Sequence, residues 1–296
     1  MSDMRTLYVN GKLMNAKEAM VSVYDHGFLY GLGLFETFRT YHGRCFLLER
    51  HINRLLDSCR QLGIACELTT ESVQQIVTEL LERNQLEEGY VRLTVSGGVG
   101  DLGLPMDDYS NPTIVVMVKP LAVMSADAWK KGKALQLLRT RRNSPEGAYR
   151  FKSLHYMNNI IAKRELLQLG DRTVAGAEGL MVNEKEQLAE GIVSNLFFVK
   201  DNVVHTPHID TGILPGITRQ FVIELAKQHG YDVKEGHYTF AELWTCSEAW
   251  ITNSIQELVP VTTLLDMDGS RQTLSQAEAG SICTQLAQAY LAAAMK

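Results

Sequence analysis

Tyr149-Arg150-Phe151-Lys152-Ser153-Leu154-His155-Tyr156-Met157-Asn158-Asn159 decides how this chain is read. Lys152 stands directly ahead of a helix start. Ser153 is a suitable N-cap, Leu154, Met157, Ile160, Ile161 and Leu167 recur at helical spacing, and Gly170 is the stop. An ammonium group beside a helix N-terminus faces the positive end of the macrodipole, and Arg150 adds a second positive charge. Both favour the free amine, a nucleophile toward a carbonyl. A loop lysine is more often simply solvated, so the weight of the reading rests on the rest of the chain.

At 296 residues the chain is long for one core, which predicts two domains, residues 1–119 and 127–296, joined by a linker at 120–126 that carries Pro120. The hydrophobic fraction of 45% and charged fraction of 21% are globular values. A net charge of -5 argues against nucleic acid as the partner, though not against a local anion site built from backbone amides and a few cations. The first residues lack the apolar run of a leader, and no stretch reaches about 18 uninterrupted apolar residues, so no membrane span is expected. Five cysteines without CxxC spacing argue against a disulfide framework or a zinc site and fit a reducing cytoplasm; Cys59 falls on an apolar helix face and reads as core.

Working outward, Asn10-Gly11 predicts a hairpin over residues 6–14. Gly31 and Gly33 lack the third glycine and following helix of a dinucleotide fingerprint and suggest close backbone approach. A strand at 34–41 precedes a helix at 48–62, with Leu48, Ile52, Leu55, Leu56, Cys59 and Leu62 inward and Gly63 ending it. Arg54 lies beside that stripe, where periodicity alone would leave it solvated. The strand at 90–96 alternates, setting Tyr90, Arg92, Thr94 and Ser96 on one face. There Arg92 either grips a substrate carboxylate or belongs to a surface edge strand. The glycine-rich stretch 97–103 reads as a mobile loop over a pocket and lacks the Gly-Lys-Ser/Thr of a P-loop.

In the second half, strands are predicted at 134–138, 178–182, 191–199, 203–206 and 248–251. Helices are expected from 217 to Gly230 and over 275–294. The run Arg139-Thr140-Arg141-Arg142 is basic. Gly216-Ile217-Thr218 opens a helix with free N–H groups and a hydroxyl, and Thr252-Asn253-Ser254 ends a strand with more donors for the same anion.

In order along the chain, then, stand a nucleophilic lysine, Glu190-Gly191-Ile192-Val193-Ser194-Asn195, Gly216-Ile217-Thr218-Arg219 and Thr252-Asn253-Ser254. With Phe35-Glu36-Thr37-Phe38-Arg39 and His51-Ile52-Asn53-Arg54-Leu55, this order resembles the fold-type IV pyridoxal 5'-phosphate enzymes, the class IV aminotransferase superfamily, over nearly the whole chain. The resemblance implies an α/β (α+β) fold: a smaller N-terminal α/β domain, a larger C-terminal pseudo-barrel domain, and the cofactor between them. It implies a homodimer acting on a small molecule, with pyridoxal 5'-phosphate and no metal.

It also implies the roles. Lys152 would carry the cofactor and move the proton. Glu190 would pair with the pyridine nitrogen and keep it protonated, so that the ring accepts electrons from the substrate carbanion. Arg54, Gly216, Ile217, Thr218, Thr252, Asn253 and Ser254 would surround the phosphate, Tyr156 would reach the ring hydroxyl, and Ser194 and Asn195 would lie near the ring. Within the superfamily, Thr37, Lys152-Ser153-Leu154, residues 91–98, residues 203–210 and Gly216-Ile217-Thr218-Arg219-Gln220-Phe221 look most like the aminodeoxychorismate lyases. The expectation is elimination of pyruvate from 4-amino-4-deoxychorismate to give 4-aminobenzoate, with Arg92 on a substrate carboxylate and Thr37 near the leaving ether. The alternatives are a transaminase of branched-chain or D-amino acids and a catalytically inactive cofactor-binding module.

Overall fold

The computed structural model describes residues 5–122 and 124–296; Met1 to Met4, at the start of the stretch read for a leader, and Val123, inside the expected linker, lie outside the described residues. The chain folds as two compact units. One takes the residues up to Ala122 together with Phe151–His155; the other takes the chain to Arg150 and Tyr156–Ala294.

The first unit runs β1 (Thr6–Val9), β2 (Lys12–Asn15), α1 (His26–Tyr30), β3 (Gly33–Tyr41), β4 (Arg44–Cys45), α2 (Leu48–Gln61), α3 (Thr70–Arg83), β5 (Tyr90–Ser96) and β6 (Thr113–Lys119). Asn10 and Gly11, both at positive φ, make the turn between β1 and β2. The strands form one sheet in the order β2-β1-β6-β5-β3-β4. Alternation decides what each face holds. Leu34 and Phe38 of β3 and Val91, Leu93 and Val95 of β5 are buried against α2 and α3, which add Ile52, Leu55, Val73, Val77 and Leu80. Glu36 shares that inward face, a carboxylate at a core position. Phe35, Thr37, Arg92 and Thr94 take the opposite face, with Phe35 facing Thr94 and Thr37 facing Arg92 in register. Since β5 lies between β6 and β3, the edge-strand reading of Arg92 is excluded.

The second unit contains α4 (Ala126–Lys131), β7 (Lys133–Leu137), α5 (Met157–Gln168), β8 (Glu178–Val182), β9 (Leu188–Gly191), β10 (Asn195–Lys200), β11 (Val203–Pro207), α6 (Ile217–Gln228), β12 (Val233–Gly236), α7 (Phe240–Trp244), β13 (Glu248–Asn253), β14 (Glu257–Leu265), β15 (Arg271–Thr273) and α8 (Ser281–Ala294). Its sheet runs β12-β11-β10-β13-β14-β7-β8-β9, with β15 on β14, and curls so that β9 comes against β10. One face buries Leu135, Leu180, Leu196, Ile251 and Val259 with Leu243 of α7. A separate cluster sets Leu138 and Met181 against Ala162 and Leu166 of α5.

The structure departs from three expectations. The helix after Lys152 starts at Met157, capped by Tyr156 without a side-chain hydrogen bond; Ser153 is no N-cap but bridges Leu34. Its buried residues are Asn159, Ala162 and Leu166, while Met157, Ile160, Ile161 and Leu167 are exposed. The strand expected over 191–199 is broken by a turn at 192–194, where the Gly191 N–H donates to the Ser194 carbonyl at 2.7 Å. The last helix starts at Ser281, and residues 275–277 form a short 3-10 turn whose Gln276 has a positive φ.

Candidate active site

In the first unit, Lys152 is seated by backbone pairing. The Phe35 N–H donates to the Lys152 carbonyl at 2.8 Å and the Leu154 N–H to the Gly33 carbonyl at 2.9 Å, so residues 152–154 run as an added strand along β3. The helix-dipole argument for Lys152 therefore falls, because the residue lies in extended chain five positions before α5. The added charge attributed to Arg150 falls as well. That guanidinium is buried in the second unit, donating to the Gly212 carbonyl at 2.6 Å and to Asn143, and burial together with the nearby Arg142 brings it down to about 10.

What Lys152 has instead is the ring of Phe35, with its Nζ 4.7 Å from the centroid; the Arg92 guanidinium carbon lies over the same ring at 3.7 Å. Thr37, opposite Arg92 on the neighbouring strand, completes that face. Lys152, Phe35, Arg92 and Thr37 thus form one cationic, aromatic surface with a hydroxyl, able to take a carboxylate.

Behind it, on the core side of β3, lies a charged cluster that sequence reading missed. Arg54 donates to Glu36 through Nε at 2.8 Å and Nη2 at 2.6 Å, and His51 Nδ1 contacts the same carboxylate at 2.7 Å. Burial pushes the Glu36 carboxyl up, but Arg54 and His51 outweigh it and hold it at about 2. Burial pushes His51 down, against the pull of Glu36. Arg54 is accordingly an ion-paired, largely buried arginine. The signal was available: Glu36 sits on the apolar face of a strand, and His51 and Arg54 are one helical turn apart.

The loop after β5 is pinned: Asp25 accepts from Gly27 N, Ser96 Oγ and Thr113 Oγ1 at 2.6–2.9 Å, and His26 Nε2 contacts the Asp101 carbonyl at 2.9 Å. It lines a cavity of about 260 Å³ with His26 and Tyr109. Gly98, at φ +79, has no room for a side chain, since a Cβ there would meet the Asn111 carbonyl at 1.9 Å.

In the second unit the central group is Glu190, 4% exposed at the end of β9. Its Oε1 accepts from Arg142 Nε at 2.8 Å, and its Oε2 accepts from the Leu214 N–H at 3.0 Å and Asn195 Nδ2 at 3.2 Å. Arg142, read earlier only as part of a basic run, is 5% exposed and is steadied in turn by Asn158 at 2.8 Å and Asn159 at 3.3 Å. Any buried carboxylate needs such a partner, but the sequence does not say which of the neighbouring Arg139, Arg141 and Arg142 supplies it.

Asn195 also donates to the Leu214 carbonyl at 3.0 Å and pairs with Thr252 across β10 and β13. Next to it is Gly216, the N-cap of α6, where a Cβ would lie 2.0 Å from Asn195 Oδ1. No side chain caps this helix, so its first N–H groups have no side-chain acceptor. Thr218 Oγ1 lies 3.1 Å from Ser254 Oγ, and Thr252 Oγ1 is buried with no hydrogen-bond partner among the described residues. An uncapped helix start, two hydroxyls and an orphaned buried hydroxyl fit a small phosphate. The Asn253 side chain is used locally, its Oδ1 accepting from Ile255 N at 3.0 Å and Gln256 N at 2.7 Å. Ser194 Oγ turns to Glu178 at 3.1 Å, and Tyr156, half exposed, opens α5.

The profile of the family described as amino-transferase class IV matches residues 33–264. The aminodeoxychorismate lyase of Bacillus subtilis (strain 168) is 42% identical over 90% of this chain and 89% of its own. A Methanocaldococcus jannaschii protein provisionally named a branched-chain-amino-acid aminotransferase is 37% identical over 96% and 94%. Among solved structures, the T.th. branched-chain amino acid aminotransferase complexed with N-(5'-phosphopyridoxyl)-L-glutamate superposes with a TM-score of 0.84 at 28% identity, covering 99% of this chain and 94% of that one.

Proposed function

The chain belongs to the class IV aminotransferase family, and from that premise we propose that it is a pyridoxal phosphate-dependent aminodeoxychorismate lyase, releasing pyruvate from 4-amino-4-deoxychorismate and leaving 4-aminobenzoate. The observation that carries this reading is the likeness to the Bacillus subtilis lyase across nine-tenths of both chains. The phosphate-fitting pocket beside α6 and the buried Glu190 carboxylate support the cofactor.

Bound pyridoxal phosphate supplies an electron sink for the negative charge formed at the amine-bearing carbon. The rest belongs to this chain. Lys152 would carry the cofactor through its amine and, once freed, would take the proton from that carbon. Glu190, oriented by Arg142, Asn195 and the Leu214 amide, would accept the pyridine N–H. The amides at Gly216, Ile217 and Thr218 and the hydroxyls of Thr218, Thr252 and Ser254 would hold the phosphate, Asn253 would contribute through its backbone, and Arg54 would contribute charge. Tyr156 would reach the ring hydroxyl, and Ser194 would shape the wall beside Asn195.

Arg92 binds a substrate carboxylate and Thr37 donates toward the ether oxygen. The carbon–oxygen bond to the enolpyruvyl group breaks, the ring aromatises, and the departing enolate takes up a proton to become pyruvate. No oxidant or second substrate is required.

The same reading has a homodimer working in a reducing cytoplasm, with domains at residues 1–119 and 127–296 joined at 120–126, save that Phe151–His155 pack with the first. All five cysteines are free. Among the described residues no helix is long and apolar enough to cross a membrane.

A second reading, transamination, is favoured by the likenesses to the Methanocaldococcus jannaschii protein and the T.th. aminotransferase. One assay separates the two. The purified protein is incubated with 4-amino-4-deoxychorismate and pyridoxal phosphate, with no keto acid, and pyruvate and 4-aminobenzoate are measured. Equal amounts of both are expected, abolished by Lys152→Ala. Turnover that requires an added keto acid would assign the chain to the transaminases instead.

A further inference from the structure

We propose that His208, Asp210 and His237 form a binding site for a divalent transition-metal ion such as Zn2+, apart from the residues assigned to the lyase reaction. Among the described residues this is the one place where three such groups bring ligand atoms within 4.8 Å of one another. Asp210 Oδ1 lies 2.8 Å from His208 Nδ1 and 2.7 Å from His237 Nε2. Two imidazole nitrogens and a carboxylate oxygen are a donor set suited to zinc and its neighbours in the first transition row.

The backbone builds this cluster. Strands β11 and β12 are parallel neighbours, with Thr206 opposite Glu235 and Pro207 opposite Gly236. His208 and His237 are the next residues on each strand, so they leave the same end of the sheet side by side. The His208 N–H donates to the Gly236 carbonyl at 2.9 Å and fixes their spacing. After His208 the chain enters a short 3-10 turn, Ile209–Thr211, closed by Gly212 at φ +91 and held by Thr211 Oγ1 donating to the His208 carbonyl at 2.7 Å. That turn returns Asp210 to both rings.

The contacts themselves have an electrostatic requirement. A ring nitrogen at 2.7–2.8 Å from a carboxylate oxygen cannot present a bare lone pair to it. Either each contact carries a proton, or one cation is shared by all three atoms. Ligand atoms about 2.1 Å from a tetrahedral ion lie about 3.4 Å apart, so accepting the ion needs the contacts to open by roughly 0.7 Å, within reach of side-chain rotation. The side chains are 41%, 55% and 47% exposed, which leaves room for water to complete the coordination. An ion there would tie the end of β12, the sheet's terminal strand, to β11.

The test is a zinc titration of the untagged full-length protein as purified, followed by competition with a chromophoric chelator and by melting temperature. One saturable zinc per chain and a raised melting temperature are expected. His237→Gln and Asp210→Asn should each weaken binding at least about tenfold while keeping the far-ultraviolet circular dichroism of the parent. Absence of saturable binding would reduce the cluster to histidine–aspartate ion pairs and overturn the proposal. So would wild-type affinity in either variant.

Discussion

Replacing Arg54 by Leu should expose how much the buried charge cluster under β3 contributes. Glu36 is 1% exposed and receives two bonds from Arg54, at 2.6 and 2.8 Å. Its carboxyl sits at about 2 when folded against an ordinary value of 4.5. At 1.36 kcal/mol per unit, that depression corresponds to about 3 kcal/mol of stability near neutral pH. The cost of breaking a buried pair is of the same size, about 3–5 kcal/mol, because the abandoned carboxylate must stay buried or take a proton. A loss of roughly 10 °C in melting temperature follows. The sign with pH is set by the direction of the shift. A carboxylate lowered on folding stabilises above its unfolded value of 4.5 and loses that contribution as pH falls toward 2. The deficit of Arg54→Leu should therefore be largest near neutral pH and shrink on acidification to about pH 3. Adding Glu36→Gln should restore part of it. The measurement is a set of thermal melts of the parent, both single variants and the double variant across that range. A deficit below about 2 °C at neutral pH, or one that does not change with acidification, would refute the reasoning.

Three further outcomes are expected. Arg142→Leu strips the 2.8 Å donor from buried Glu190 and should destabilise by about 3 kcal/mol and lower both cofactor affinity and pyruvate release; full activity in the variant would count against Arg142 as the orienting group. Gly216→Ala puts a Cβ 2.0 Å from Asn195 Oδ1, so cofactor affinity measured by absorbance titration should fall, with about 1–3 kcal/mol lost in stability; a variant that loads normally would remove Gly216 from the phosphate cradle. Cys66, lowered by its hydrogen bond with Cys59, should be the first thiol alkylated in a mass-spectrometric time course, ahead of Cys45 and Cys246, which burial pushes up to about 12; earlier labelling of Cys246 would contradict that order.

Local rules made the first unit readable. Asn10-Gly11 specifies a hairpin turn by its own backbone preference, and the stripe Leu48, Ile52, Leu55, Cys59 specifies α2 by period alone. Reading failed where partners distant in sequence decide the conformation. Ser153 has the chemistry of an N-cap, yet strand pairing with residues 33–35 claims its segment first. Met157, Ile160 and Ile161 have helical spacing but face solvent, because in α5 the small Ala162 and the polar Asn159 take the inward side. The order of Lys152, Glu190, Gly216 and Thr252 was legible as a pattern of types. The pairing of Arg142 with Glu190 was not, since it joins residues whose proximity only the fold creates, and the sign left by Glu36, a carboxylate on an apolar strand face, does not name its partners.

The seating of Lys152 along β3 bears on how this protein can be cut, synthesised or recombined. The strand it lies against is complete by Tyr41, but its companion strand arrives more than a hundred residues later. On the ribosome β3 must therefore keep one edge open until Leu154 has cleared the exit tunnel. A gene fragment ending at Ala122 would encode the helices and six strands of the first unit without Lys152. Exchange of that fragment between relatives would carry over Arg92 and Thr37 but leave the lysine with the recipient. The boundary that looks natural for a recombination break thus separates β3 and β5 from Lys152, the residue seated against them.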